Sequence, residues 1–103
     1  LKKFNIQTLK GSSALNRVLK EQKNTHEKIS ILYLSPWDKP SIKLESKLES
    51  NEEAINKLYI VDTFDTPHGT AIFRVNKLPA LITIKDRSRV EDHLPNVYRL
   101  LGI

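Results

Sequence analysis

The sequence predicts an α/β fold: a central mixed β-sheet of about five strands with helices on both faces, a three-layer sandwich. Three observations predict it. Strand-like and helix-like patterns alternate along most of the chain. The run ISILYL (29–34) is almost wholly apolar, as a strand covered on both faces must be. Near the end, two strand-like runs flank the short polar stretch DRS (86–88), which argues for an antiparallel hairpin at a sheet edge.

Each element follows from its local pattern. FNIQTL (4–9) alternates apolar and polar residues, as a half-buried strand does. GSS breaks it, and Ser12 or Ser13 can cap the next element. Ala14, Leu15, Val18 and Leu19 share one helical stripe, and the helix is expected to fade in the polar run EQKNTHEK (21–28). After ISILYL, the stretch SPWDKP ends the strand. Pro40 suits a first helical turn, and Leu44 and Leu48 share a face of the helix it opens. Residues 51–56 either continue that helix or form the turn after it. KLYIVDTF (57–64) reads as a third strand. DTPHGTAIFRV (65–75) opens with Asp65 or Thr66 before Pro67, helix-start chemistry, in a helix that Gly69 weakens and Asn76 can end. ALITIK (80–85) is a fourth strand and RVEDHL (89–94) its hairpin partner. PNVYRLLGI (95–103) begins with a first-turn proline and carries Val97, Leu100 and Leu101 as a short apolar stripe.

A chain of 103 residues suits one domain, here 1–103, with a single core. Its 39% hydrophobic and 28% charged residues place it in the soluble globular class rather than the disordered one. No apolar run is long enough to span a bilayer, so a membrane partner is not expected. No apolar segment follows the first lysines, so no export signal is visible and a cytoplasmic setting is expected over a secreted one. Cysteine and methionine are both absent, which excludes disulfides, thiolate catalysis and cysteine-based metal sites. The net charge of +5 is uneven: residues 1–47 hold ten Lys or Arg against four Asp or Glu. Such a half could face nucleic acid or another acidic surface, but the charges are spread, as on an ordinary solvated surface.

Two segments together carry a resemblance. ILYLSPWDKPS is a buried strand, a Trp, and a loop whose Pro40 opens a helix; NKLPALITI lies downstream, with Pro79 placed 41 residues after Asp38. This order and spacing resembles the thioredoxin family over nearly the whole chain. The resemblance sets Asp38 at the family's first redox cysteine, Lys39 at its glycine and Ser41 at its second cysteine. It implies a thioredoxin-like three-layer sandwich and a cis peptide between Leu78 and Pro79, with the backbone before the proline turned toward the loop. The alternative for Pro79 is an ordinary trans proline starting an edge strand. The departures are as informative. Both degenerate redox positions, Asp38 and Ser41, lack sulfur, and Leu32 falls where the family keeps a buried acid. A carboxylate cannot be oxidised to a disulfide, so the reading is a redox-inactive member and not an enzyme of thiol–disulfide exchange.

The loop retains a surface. Asp38 reads as a helix N-cap, with a catalytic carboxylate as the other possibility. Ser41 lacks visible His–Asp partners and is expected to be a solvated first-turn hydroxyl; Lys39 is expected to be an exposed loop charge. Trp37 either anchors a partner or only covers the loop. In the family, the residue before the cis-proline offers its main chain to an extended peptide, and Leu78 would do so here. The expected partner-binding groove is therefore Trp37, Asp38, Lys39, Pro40, Leu78 and Pro79, taking a protein or extended peptide and no cofactor. His26, His68 and His93 are scattered without metal-ligand spacing, Asp62 and Asp65 read as a turn or cap pair, and no phosphate-binding glycine loop exists.

The expected function is thus a non-redox thioredoxin-like domain acting as a protein-binding, adaptor or structural module, in the manner of one part of a larger assembly. A glutathione-binding or transferase-like domain is the alternative suggested by KLPALI, although the strand and helix before residue 29 argue against it. A nucleic-acid-associated basic protein is a further alternative without motif support. Lys-, Asn- and Ile-rich usage fits an AT-rich genome, such as that of many phages or low-GC bacteria, and a viral or host-interaction role fits it.

Overall fold

The computed structural model describes residues 3–63, 77–85 and 92–103. In chain order the elements are β1 (Asn5–Leu9), α1 (Gly11–Thr25), β2 (Ile29–Leu34), α2 (Lys39–Glu45), β3 (Lys57–Asp62), β4 (Ala80–Ile84) and α3 (Leu94–Leu101). The helix expected over 65–75 and the turn at 86–88 lie outside the described residues. So do residues 89–91 of the expected hairpin partner.

Among the described residues the four strands form one mixed sheet in the order β1-β3-β2-β4. β3 runs parallel to both β1 and β2, with Ile6 opposite Leu58 and Ile31 opposite Tyr59. β4 runs antiparallel to β2, with Ile31 opposite Ile82. This order explains the layering. The chain crosses from β1 over β3 to β2, then steps back to β3. Right-handed crossovers in opposite directions put their helices on opposite faces. The two cores agree. Leu15 of α1 packs with Ile31, Tyr33, Tyr59, Val61 and Ile82 on one face. Leu44 of α2 and Val97 and Leu101 of α3 pack with Leu32, Leu34, Leu58 and Ile60 on the other. Every residue of β2 is buried because it is central and covered twice. Burial of each large side chain there contributes roughly 1.5–3 kcal/mol. Ser30, the one polar member of β2, meets Thr83 hydroxyl to hydroxyl at 3.4 Å across the ladder.

Three local expectations are corrected. Neither Ser12 nor Ser13 caps α1: Lys10 is the N-cap, without a side-chain bond, and Gly11 makes the turn from β1 at φ 82°, a conformation that suits glycine. The helix also runs to Thr25 instead of fading from residue 21. Its last turn is held because Gln22 is buried and donates its side-chain amide to the Glu27 carbonyl at 3.2 Å, while His26 closes the end in the left-handed region. Leu94, expected in a strand, opens α3, since Pro95 beside it is preorganised for a first helical turn. After α2 the chain turns rather than continuing as helix, and Phe4 bridges Ser50 beside β1.

Candidate functional site

The register of β2 with β4 decides where the predicted groove residues lie. Tyr33 faces Ala80 across the ladder, so the loop leaving β2 and the bend entering β4 occupy the same end of the sheet. Thr63, just past β3, donates its N–H to the Leu34 carbonyl at 2.9 Å and brings the end of β3 there as well. This is the carboxyl end of the parallel pair β2–β3, the end at which open α/β sheets receive ligands.

The loop is built by its own polar groups. Trp37 donates its N–H to the Ser35 hydroxyl at 3.3 Å, and Asp38 its N–H to the Ser35 carbonyl at 3.4 Å. Asp38 then caps α2: its extended backbone (φ −82°, ψ 118°) lets Oδ2 accept the Ser41 N–H at 3.0 Å. The same oxygen accepts the Ser41 hydroxyl at 2.7 Å, the length of a charge-assisted bond. Pro40 sits in the first turn, where its missing N–H costs nothing.

Ser41 corrects an expectation. It is not a solvated hydroxyl but wholly buried, on the face of α2 that also buries Leu44. The two are three positions apart along the helix, so both turn toward the sheet. A buried hydroxyl needs a partner, and the Asp38 carboxylate supplies it. The positions that resemble the two redox cysteines thus hold a hydrogen-bonded Asp–Ser pair instead of sulfur.

The remaining predicted residues divide by exposure. Trp37 is 68% exposed. Lys39 is exposed as expected, whereas Asp38 and Pro40 are half-buried. The Leu78–Pro79 peptide is cis, Pro79 is buried, and Leu78 is half-buried against the core under α1. Leu32, at the position where a buried acid would be expected of a redox member, is fully buried among apolar neighbours.

One residue escaped the sequence reading. Ile42 is 50% exposed, at the fourth position of α2, with Trp37 just before the cap. These are the two positions of a hydrophobic staple, and the spacing W-D-x-x-x-I is legible once Asp38 is taken as the cap. Among the described residues a cavity of about 560 Å³ lies elsewhere: Phe4, Leu48, Ser50, Leu101 and Ile103 line it near the start of β1, at the opposite end of the sheet. Among the described residues no three His, Asp or Glu side chains converge as a metal site would need, and no helix is long and apolar enough to cross a membrane.

No protein-family model matches the chain, and neither does any curated protein sequence. Solved structures do. A thioredoxin from Nicotiana alata superposes with a TM-score of 0.79 at 13% identity, covering 99% of this chain and 94% of its own. A thioredoxin from Arabidopsis thaliana in its oxidized state gives 0.73 at 19% identity, with 95% and 92% covered. The thioredoxin of Fasciola hepatica gives 0.69 at 19% identity, with 93% and 96% covered. With its mixed sheet, its helices on both faces and the cis peptide before Pro79, this cysteine-free chain has the thioredoxin-like fold.

Proposed function

We propose that this domain works by binding rather than by turnover: it is an adaptor or structural module that receives an extended segment of another protein at the end of its sheet. The observation that carries this reading is Trp37, a large apolar side chain left 68% exposed on the loop beside the Leu78–Pro79 bend. Large aromatics are among the residues that most often anchor protein interfaces. Leu78 supports the same reading. It precedes Ala80, the first residue of the β4 ladder, so a strand-like segment could pair with its main chain as strands add to sheet edges. Neither contact requires sulfur. With no thiol to be oxidised, the chain cannot run disulfide exchange, and the Asp38–Ser41 pair serves to fix the loop as a platform.

Panning a displayed library of unstructured peptides against the chain tests this. Peptides should be retained, and Trp37→Ala should weaken them at least tenfold while leaving stability within about 0.5 kcal/mol, as for other exposed positions. Leu78→Ala should weaken them less, because its main chain remains. Retention that ignores Trp37→Ala, or no retention at all, overturns the reading. Clear binding heat with glutathione in calorimetry would replace it with a glutathione-binding one.

A further inference from the structure

The charges around Trp37 indicate what kind of segment fits there. α2 turns Ser41 and Leu44 inward, so helical periodicity sets Lys39, Ile42 and Lys43 together on its outward side, and all three are exposed. Lys77, also exposed, immediately precedes Leu78 at the same end of the sheet. Three exposed lysines thus stand on the segments that meet at this end of the sheet, together with the exposed Trp37 and Ile42. Few carboxylates offset them among the described residues. Asp38 is turned inward, its Oδ2 taken by two donors from Ser41. Asp62 is half-buried at the end of β3, and Glu45 sits at the far end of α2.

We propose that the partner segment is acidic: an extended peptide whose apolar side chain seats on Trp37 and Ile42 while Asp or Glu residues flanking it meet Lys39, Lys43 and Lys77. This rests on the binding reading above and adds the partner's chemistry to it. An apolar centre with a charged rim divides the work in the usual way: the centre supplies affinity, and the rim supplies selection and encounter rate. A basic segment would bring like charges together at the rim, and that repulsion is the selective element.

The test uses the full 103-residue chain, whose single Trp reports its own burial by fluorescence. Three peptides share one apolar core and differ only in flanks of Asp and Glu, of Ser and Asn, or of Lys. The acidic peptide should bind about tenfold more tightly than the neutral one at low salt, the sum of a few exposed ion pairs, and the gap should shrink as salt rises. Lys39→Glu, Lys43→Glu and Lys77→Glu combined should invert the order. Arg17→Glu, Lys20→Glu and Lys23→Glu combined alter net charge equally but on α1, on the opposite face, and should leave the order intact. Three peptides binding alike, or an order that follows the α1 reversal just as closely, overturns the acidic-segment proposal while the groove stands. If none of the three shifts the Trp emission, the groove reading falls and this proposal with it.

Discussion

Removing the Asp38 carboxylate should destabilise the chain more than removing both members of the Asp38–Ser41 pair. Asp38→Ala deletes the N-cap of α2, which costs about 1 kcal/mol. It also strands the Ser41 hydroxyl, which is fully buried and whose partner is that carboxylate at 2.7 Å. An orphaned buried donor costs about 1–3 kcal/mol more. The single substitution should therefore cost about 2–4 kcal/mol, a large share of the roughly 5–15 kcal/mol that holds a domain together. Ser41→Ala should cost about 1 kcal/mol, because the half-buried carboxylate keeps the Ser41 N–H and can turn to water. The double variant loses the cap but strands nothing, so it should be more stable than Asp38→Ala alone. Asp38→Asn keeps an acceptor and should fall between it and the parent. Urea unfolding followed by Trp37 fluorescence and by circular dichroism measures all four. At about 1–1.5 kcal/mol per molar, a 3 kcal/mol loss moves the midpoint by about 2–3 M. An Asp38→Ala midpoint near the parent's, or a double variant less stable than Asp38→Ala, would refute the view that this pair is mutually satisfied and buried.

Two further outcomes check the frame around it. Leu44→Ala should cost about 2–5 kcal/mol, because Leu44 is fully buried against the sheet, whereas Ile42→Ala on the outward side of the same helix should change stability by no more than about 0.5 kcal/mol; equal losses in urea melts would mean α2 is rotated from the face described. Lys57 donates to Glu27 at 3.3 Å, and that hydrogen bond, reinforced by nearby negative charge, raises the Lys57 ammonium above its ordinary 10.5. A raised folded-state value means the contribution is complete below the unfolded value and fades as pH climbs through the folded one. Both side chains are well exposed, so Glu27→Gln should cost only about 0.5 kcal/mol or less near neutral pH and nothing once Lys57 has deprotonated; urea midpoints compared at neutral and strongly alkaline pH show whether the difference closes.

Some of this molecule is set by local chemistry and can be read along the chain. ISILYL cannot be anything but a doubly covered strand once it is a strand, since five of its six side chains demand burial and the structure buries them all. Asp38 before Lys39-Pro40 announces a helix start, and the side chain caps as its type prefers. Other features depended on how elements pack, which the local pattern does not show. Gln22 looks like part of a polar fade-out, yet α1 continues through it because Gln22 is buried against the fold and its amide finds the Glu27 carbonyl. Ser41 looks like a surface hydroxyl, because nothing local reveals which face of a seven-residue helix meets the sheet. The exposure of Ile42 follows from the face α2 turns to the sheet, and the meeting of the Trp37 loop with the Leu78–Pro79 bend from the antiparallel docking of β4 on β2. Hydrophobic period and capping preference act over a few residues, so most of the described elements, their order and the lack of thiol chemistry are legible in the chain alone. Which side chains share a surface depends on strand order and register, and these are fixed only when the two cores pack on opposite faces of the sheet.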